Sequence, residues 1–180
     1  MTEPVTGPAD RSALPALPPP RTPGRYAIAL VCLGNICRSP MADVVLTARI
    51  AEAGLADRVE VSSCGTGGWH VGEPMDRRAA ATLRAVGLDP SRHRARQWDE
   101  GWRARNDLVL AMDPDNLAGV GGRSERVRLF RDFDPVDPGG EVPDPYYGGD
   151  DGFEEVLAMV ERTSAALVAA LREILGPPTP

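Results

Sequence analysis

Residues 26–43 read YAIALVCLGNICRSPMAD. The opening YAIALV is an unbroken apolar run, the pattern of a short strand buried on both faces of a parallel sheet. Pro40 suits the first turn of a helix, which MADVVLTARIAEAG continues to a glycine stop at Gly54. Between strand and helix lies a tight loop containing Gly34 and Asn35, two residues that tolerate positive φ. A strand, a short loop and a helix form the first half of a βαβ unit, and the rest of the chain repeats that alternation. RVEVSSCGTGG (58–68) is a strand entering a glycine-rich loop, and MDRRAAATLRAVG (75–87) is a helix with its own glycine stop. NDLVLAM (106–112) is a third strand, Asp113 is placed to cap the helix that begins DPDNLAGV, and RVRLF (126–130) is a fourth strand. A loop rich in Pro, Gly and Asp leads to a long amphipathic helix over 153–175. The expectation is an α/β three-layer sandwich around a central parallel sheet of four strands. Ligands of such sheets bind beyond the carboxyl ends of the strands, where the 32–40 loop lies.

Composition narrows the class. With 180 residues, 42% of them hydrophobic, the chain can bury one ordinary core. The net charge of −6 argues against nonspecific nucleic-acid binding. All 20 basic residues are Arg, which excludes a Walker-A lysine and any Schiff-base lysine; an anion must be held by Arg or by backbone N–H groups. Three cysteines (Cys32, Cys37, Cys64) are too few for a secreted disulfide scaffold, and two histidines (His70, His93) make a zinc site improbable. No apolar run approaches a membrane span, and the N-terminus lacks the basic start and apolar stretch of a signal peptide. The expected protein is cytoplasmic, with reduced thiols and no metal. Residues 1–24 hold seven prolines and no apolar period, so a disordered or polyproline tail is expected there, with the domain over 25–176 and a frayed end over 177–180. The stretch LPALPPPR (14–21) reads first as a spacer and second as a ligand for a proline-binding domain.

The loop itself suggests chemistry. Cys32 and Arg38 stand six positions apart, and alone that spacing says little. In this setting the curled Gly-Asn segment turns N–H groups inward, and the helix start adds unpaired donors and a partial positive charge. A tetrahedral oxyanion fits such a cradle, and Arg38 can grip two of its oxygens. Cationic surroundings and helix N-termini favour thiolate over thiol, so Cys32, at the base, is placed as a nucleophile, with Ser39 able to donate to it. Three other readings stay open on the residues alone: a buried structural cysteine, a C-x4-C metal clip without its second ligand pair, and a Cys32–Cys37 redox dithiol.

VCLGNICRSPMAD resembles the phosphate loop of the low-molecular-weight protein tyrosine phosphatases. The likeness continues in VSSCGTGGWHVGEP (61–74), HRARQ (93–97), AMDPDN (111–116) and DPYYGG (144–149), spans about 26–175, and is similar to actinobacterial members in particular. It implies a flavodoxin-like fold of the phosphotyrosine phosphatase I type, phosphotyrosine-containing proteins as substrates, no cofactor and no membrane or nucleic-acid partner. It also implies roles. Cys32 would become a phosphocysteine, Arg38 would bind phosphate, and Asp144 would be the general acid and then the base. Leu33, Gly34, Asn35, Ile36, Cys37 and Ser39 would form the phosphate cradle. Ser63 and His93 would support it through Asn35. Trp69, Tyr146 and Tyr147 would wall a slot deep enough to prefer phosphotyrosine over phosphoserine, and the two tyrosines would desolvate Asp144. His70 is expected at the rim with no role, Cys64 as packing, and Trp98 and Trp102 as partly buried. Without the resemblance, Asp144 cannot be told from Asp134, Asp137, Asp150 or Asp151. A thioredoxin-coupled arsenate reductase shares this loop but needs relay cysteines downstream, and none follows Cys64. A phosphotyrosine-binding adaptor is the reading outside enzymes; the complete set of Cys32, Arg38, Ser39 and Asp144 speaks against it. Some members of the family act outside the producing cell without a signal peptide, so export stays open.

Overall fold

Four strands, β1 (Tyr26–Cys32), β2 (Val59–Gly65), β3 (Leu108–Ala111) and β4 (Val127–Leu129), make one parallel sheet in the order β2-β1-β3-β4. The structure is a computed structural model that describes residues 14–177. Helices α1 (Arg38–Glu52), α2 (Arg77–Arg84) and α5 (Asp150–Leu175) cover one face; α3 (Glu100–Arg105) and α4 (Pro114–Gly119) cover the other. The expected three-layer α/β sandwich is the observed fold. β1 explains why the apolar run is unbroken: Ile28, Leu30 and Cys32 face the α1/α5 core, Ala29 and Val31 face the α3/α4 core, and all are buried. Cys64 pairs with Val31 and joins the α3/α4 core, on the side away from Cys32, where burial pushes its thiol up to about 12. The packing role expected for it holds.

The sheet order places β1 between β2 and β3, so the loop after β1 opens at the switch point of the fold. Two elements differ from expectation. α5 starts at Asp150, three residues early, with its acidic first turn favourable to the helix dipole. α3 was not foreseen; Asp99 caps it by accepting from the Gly101 N–H at 2.8 Å, and its Trp102 is buried beneath the Arg96 and Arg105 guanidinium groups rather than half-exposed.

Residues 14–24, expected to be part of a disordered tail, lie against the domain. Pro18 is buried, Leu17 packs on the core, the Tyr26 hydroxyl donates to the Pro18 carbonyl at 3.0 Å, and the Arg21 N–H donates to Asp107 at 2.7 Å. Proline needs no N–H partner, so an extended strap can bury side chains without leaving orphaned donors. The rest of the expected tail, 1–13, and the last three residues of the expected frayed end, 178–180, lie outside the described residues. Among the described residues no helix is long and apolar enough to cross a membrane.

Candidate active site

β1 ends at Cys32 and α1 begins at Arg38, so five residues must turn the chain back at the carboxyl end of the sheet. Asn35 makes the turn. It is the one described non-glycine residue with positive φ, at 56°, and it is fully buried. Its side-chain NH2 donates to Ser39 Oγ at 2.8 Å and Ser63 Oγ at 3.0 Å, and its Oδ1 accepts from the Arg96 N–H at 2.9 Å. Its carbonyl lies 2.6 Å from His93 Nε2; a carbonyl only accepts, so that nitrogen carries the proton. Burial holds His93 below its ordinary value, consistent with a neutral ring in that tautomer. The strained residue is thus held by four groups on three segments of chain.

Neighbouring backbone completes the cradle. The carbonyls of Cys32, Leu33 and Ile36 accept from Thr66, Gly67 and Asp76 N–H groups, each at 2.9 Å. In a trans peptide the N–H points opposite to the C=O, so drawing these carbonyls away turns the following N–H groups into the loop. The close approach demands Gly65, where an added Cβ would lie 2.7 Å from the Leu33 carbonyl oxygen. The α1 N-cap has no side-chain cap, leaving the first helical donors for a ligand.

Cys32 Sγ sits at the base, 2% exposed, with Ser39 Oγ at 3.0 Å and the Asn35 N–H donating at 3.3 Å. Because Ser39 Oγ already accepts from Asn35, its own proton is directed to the sulfur, the nearer of two acceptors, or to the Cys64 carbonyl at 3.4 Å. Burial, and next the charge of Asp76, push the Cys37 thiol up. Arg38 is 3% exposed and aimed across the pocket. Its Nη1 donates to Asp113 Oδ2 at 2.6 Å and to the Val142 carbonyl at 3.1 Å, which leaves Nε and Nη2 as the paired edge for an oxyanion.

Asp113 was foreseen only as a cap. It does cap α4, through Oδ1 and the Asn116 N–H at 2.7 Å, and the same carboxylate orients Arg38. The second role depends on β3 lying beside β1, which no local pattern signals. His70, expected at the rim with no role, lines the pocket; its ring packs on Gly34, and its Nδ1 lies 2.6 Å from Glu73.

The five aspartates now separate. Asp134 is fully buried between Arg131 and Arg162; burial alone would raise its pKa, but hydrogen bonds from Arg162, the Val136 N–H and Arg131 outweigh it and hold the group at about 2. Asp137 pairs with Arg131, and Asp150 and Asp151 start α5. Asp144 alone of the five lines the pocket. Its Oδ1 accepts from the Tyr146 N–H at 3.1 Å and its Oδ2 is 3.6 Å from Arg38 Nη2. The tyrosines do not enclose it as expected: its side chain is 37% exposed and Tyr147 is 92% exposed.

The cavity, about 290 Å³, has Cys32 and Arg38 at its floor and Trp69, Tyr146 and Tyr147 at its mouth. Trp69 lies over Gly67, where a Cβ would meet its ring at 1.9 Å. Of the sequence-assigned residues, Cys32, Leu33, Gly34, Ile36, Cys37, Arg38, Trp69, Asp144, Tyr146 and Tyr147 line it; Asn35, Ser39, Ser63 and His93 stand behind as the hydrogen-bonded support. Among the described residues no group of three or more His, Cys, Asp or Glu is arranged to hold a metal.

Residues 27–175 match the family model for low molecular weight phosphotyrosine protein phosphatase. A low molecular weight protein-tyrosine-phosphatase of Streptomyces coelicolor is 51% identical over 158 residues, covering 82% of this chain and 94% of the relative. Low molecular weight protein-tyrosine phosphatase A of Mycobacterium tuberculosis is 45% identical over 139 residues, covering 74% and 84%. Among solved structures, a protein tyrosine phosphatase from Entamoeba histolytica superimposes with a TM-score of 0.77 at 31% identity, covering 82% of this chain and 97% of that one.

Proposed function

Since the chain belongs to the low molecular weight phosphotyrosine protein phosphatase family and is a protein-tyrosine phosphatase, we propose that Cys32 is its nucleophile, Arg38 its phosphate clamp and Asp144 its general acid and base. The observation that supports this most is the convergence of the three groups on one pocket from β1, the start of α1 and a loop more than a hundred residues later.

The chemistry follows in two transfers. Cys32 Sγ attacks phosphorus as the bond to the tyrosyl oxygen breaks, and Asp144 gives its proton to the departing phenolate. A water then attacks the phosphocysteine, Asp144 takes its proton, the P–S bond breaks, and inorganic phosphate leaves with the thiolate restored. The inward N–H groups and the free edge of Arg38 stabilise the three equatorial oxygens in both steps. Ser39 stabilises the thiolate as leaving group in the second. Asp113 fixes Arg38, so the clamp needs little rearrangement when charge develops. No step requires a metal or a cofactor. Cytoplasmic action suits this scheme: Cys32, Cys37 and Cys64 are free thiols, and a reducing compartment keeps the nucleophile competent.

The buried floor and aromatic mouth favour a long, flat phosphoester. Phosphoserine, lacking the ring, would have to bring its peptide backbone down among Trp69 and Tyr146 before phosphorus met sulfur. Turnover of matched phosphopeptides tests this. kcat/KM for the phosphotyrosyl peptide is expected to exceed that for the phosphoseryl peptide by about 10²-fold, the cost of a small misplacement of reacting atoms. Equal values would contradict the slot.

A further inference from the structure

Arg78 stands outside every motif that marks the site, yet its side chain makes contacts a surface arginine has no need of. It is the second residue of α2, and Asp76, the cap of that helix, holds the Arg78 N–H at 2.8 Å and its guanidinium at 3.3 Å. Asp76 is itself tied to the phosphate loop, its N–H donating to the Ile36 carbonyl at 2.9 Å. From this anchored base the guanidinium crosses to the loop that carries Asp144. Nη2 donates to the Tyr146 carbonyl at 2.9 Å and Nη1 to the Gly148 carbonyl at 3.4 Å. Its Cζ also lies over two rings, 4.8 Å from the centroid of Phe153 and 5.6 Å from that of Tyr146.

The loop has need of such a hold. It contains Gly148 and Gly149, Tyr147 stands in solvent, and one turn bond, Gly148 N–H to the Pro145 carbonyl at 3.1 Å, lies within it. Ordering such a segment costs backbone entropy that must be offset by contacts. Tyr146 is the link. Its N–H holds Asp144 Oδ1, and its carbonyl is held by Arg78, so the two groups are joined through a single residue.

We infer that Arg78 is a positioning residue for the general acid, clasping the 144–149 loop to α2 and the phosphate loop so that the Asp144 carboxyl faces the leaving oxygen. The inference rests on the reading of Asp144 as proton donor. Arg78 touches no reacting atom. Its loss would therefore leave phosphate binding and thiol attack intact and weaken only the proton delivery.

Proton delivery has a signature that general loosening lacks: its value grows with the basicity of the leaving group. Full-chain wild type, Arg78→Gln, Asp144→Ala and the neighbouring control Arg77→Gln would be compared on phosphotyrosine and on p-nitrophenyl phosphate, whose nitrophenolate leaves with little help from an acid. kcat/KM is the quantity to read, since it reports steps through phosphoenzyme formation. For Arg78→Gln we expect a loss of about 10- to 100-fold on phosphotyrosine and under about threefold on p-nitrophenyl phosphate, within the range a general acid supplies. Inhibition by inorganic phosphate should be unchanged, and Arg77→Gln should match wild type on both substrates. Equal losses on the two substrates, or no loss on phosphotyrosine, would overturn the clasp. If Asp144→Ala also lacks the graded loss, the reading of Asp144 itself fails; if Asp144→Ala is graded and Arg78→Gln is not, only the clasp fails. Should Arg78→Gln fold poorly, Arg78→Lys decides by the same criterion, since it keeps the charge but offers a point donor in place of the fork.

Discussion

Replacing Cys32 with serine is expected to abolish turnover while leaving the pocket able to bind phosphate. An alcohol in the same position is not ionised near neutral pH and is a far poorer nucleophile than a thiolate. The cradle does not depend on the sulfur for its shape: Asn35 is held by Ser39, Ser63, His93 and the Arg96 N–H, and the loop carbonyls by Thr66, Gly67 and Asp76. A serine hydroxyl can also accept from the Asn35 N–H that Cys32 Sγ receives at 3.3 Å. kcat should fall by about 10⁵-fold or more, the order found when a covalent nucleophile is removed. Isothermal titration with phosphate or vanadate should still report binding within a few-fold of wild type. Substantial turnover in Cys32→Ser would place the nucleophile elsewhere.

Asp144→Ala carries the second large effect. The phenolate of tyrosine, with a conjugate acid of pKa about 10, leaves slowly without a proton. Loss of the acid should lower kcat for phosphotyrosine by about 10²- to 10⁴-fold. Both half-reactions should suffer, because in the proposed scheme the same carboxylate takes the proton from the hydrolytic water. The substitution should leave the cradle intact, since Asp144 lies on an exposed loop and meets Arg38 at 3.6 Å, whereas the tight partner of Arg38 is Asp113 at 2.6 Å. A loss below about threefold would point to a different acid; among the described residues Asp144 is the one carboxylate lining the pocket, and Asp113 is committed to Arg38 and to its cap.

What the sequence made legible was set by locality. The strand-loop-helix unit at 26–54 could be read because a strand buried on both faces needs an unbroken apolar run and a glycine stops the helix that follows. The alternation of such units predicts a parallel sheet, and the site's position at the strand ends follows from it. The phosphate loop was readable as an oxyanion cradle for the same reason, since its donors lie within seven residues of Cys32. The proposed acid, Asp144, was not readable on those terms. Five aspartates stand between 134 and 151 in similar Pro/Gly settings. What separates them is tertiary: Asp134 is buried against two arginines, while Asp144 is carried to the pocket because the Val142 N–H donates to the Met112 carbonyl at 2.7 Å, anchoring its loop beside β3. Only the family resemblance picked it out beforehand. Asp113 and Arg78 were missed as site residues because each acts across the sheet or between loops distant in sequence. The strap at 14–24 was misjudged because a proline-rich composition marks poor helix and strand formers, yet it says nothing about whether an extended chain finds a groove to lie in.

The most direct test is to catch the enzyme in mid-reaction. Wild type mixed with excess p-nitrophenyl phosphate in a rapid-quench instrument should show a burst of nitrophenol approaching one equivalent per site. The quenched protein should carry one phosphoryl group on the peptide containing Cys32. A burst with the label on Cys32 is the result this account predicts. Turnover with no phosphoenzyme on any cysteine, or with the label on Cys37, would contradict it.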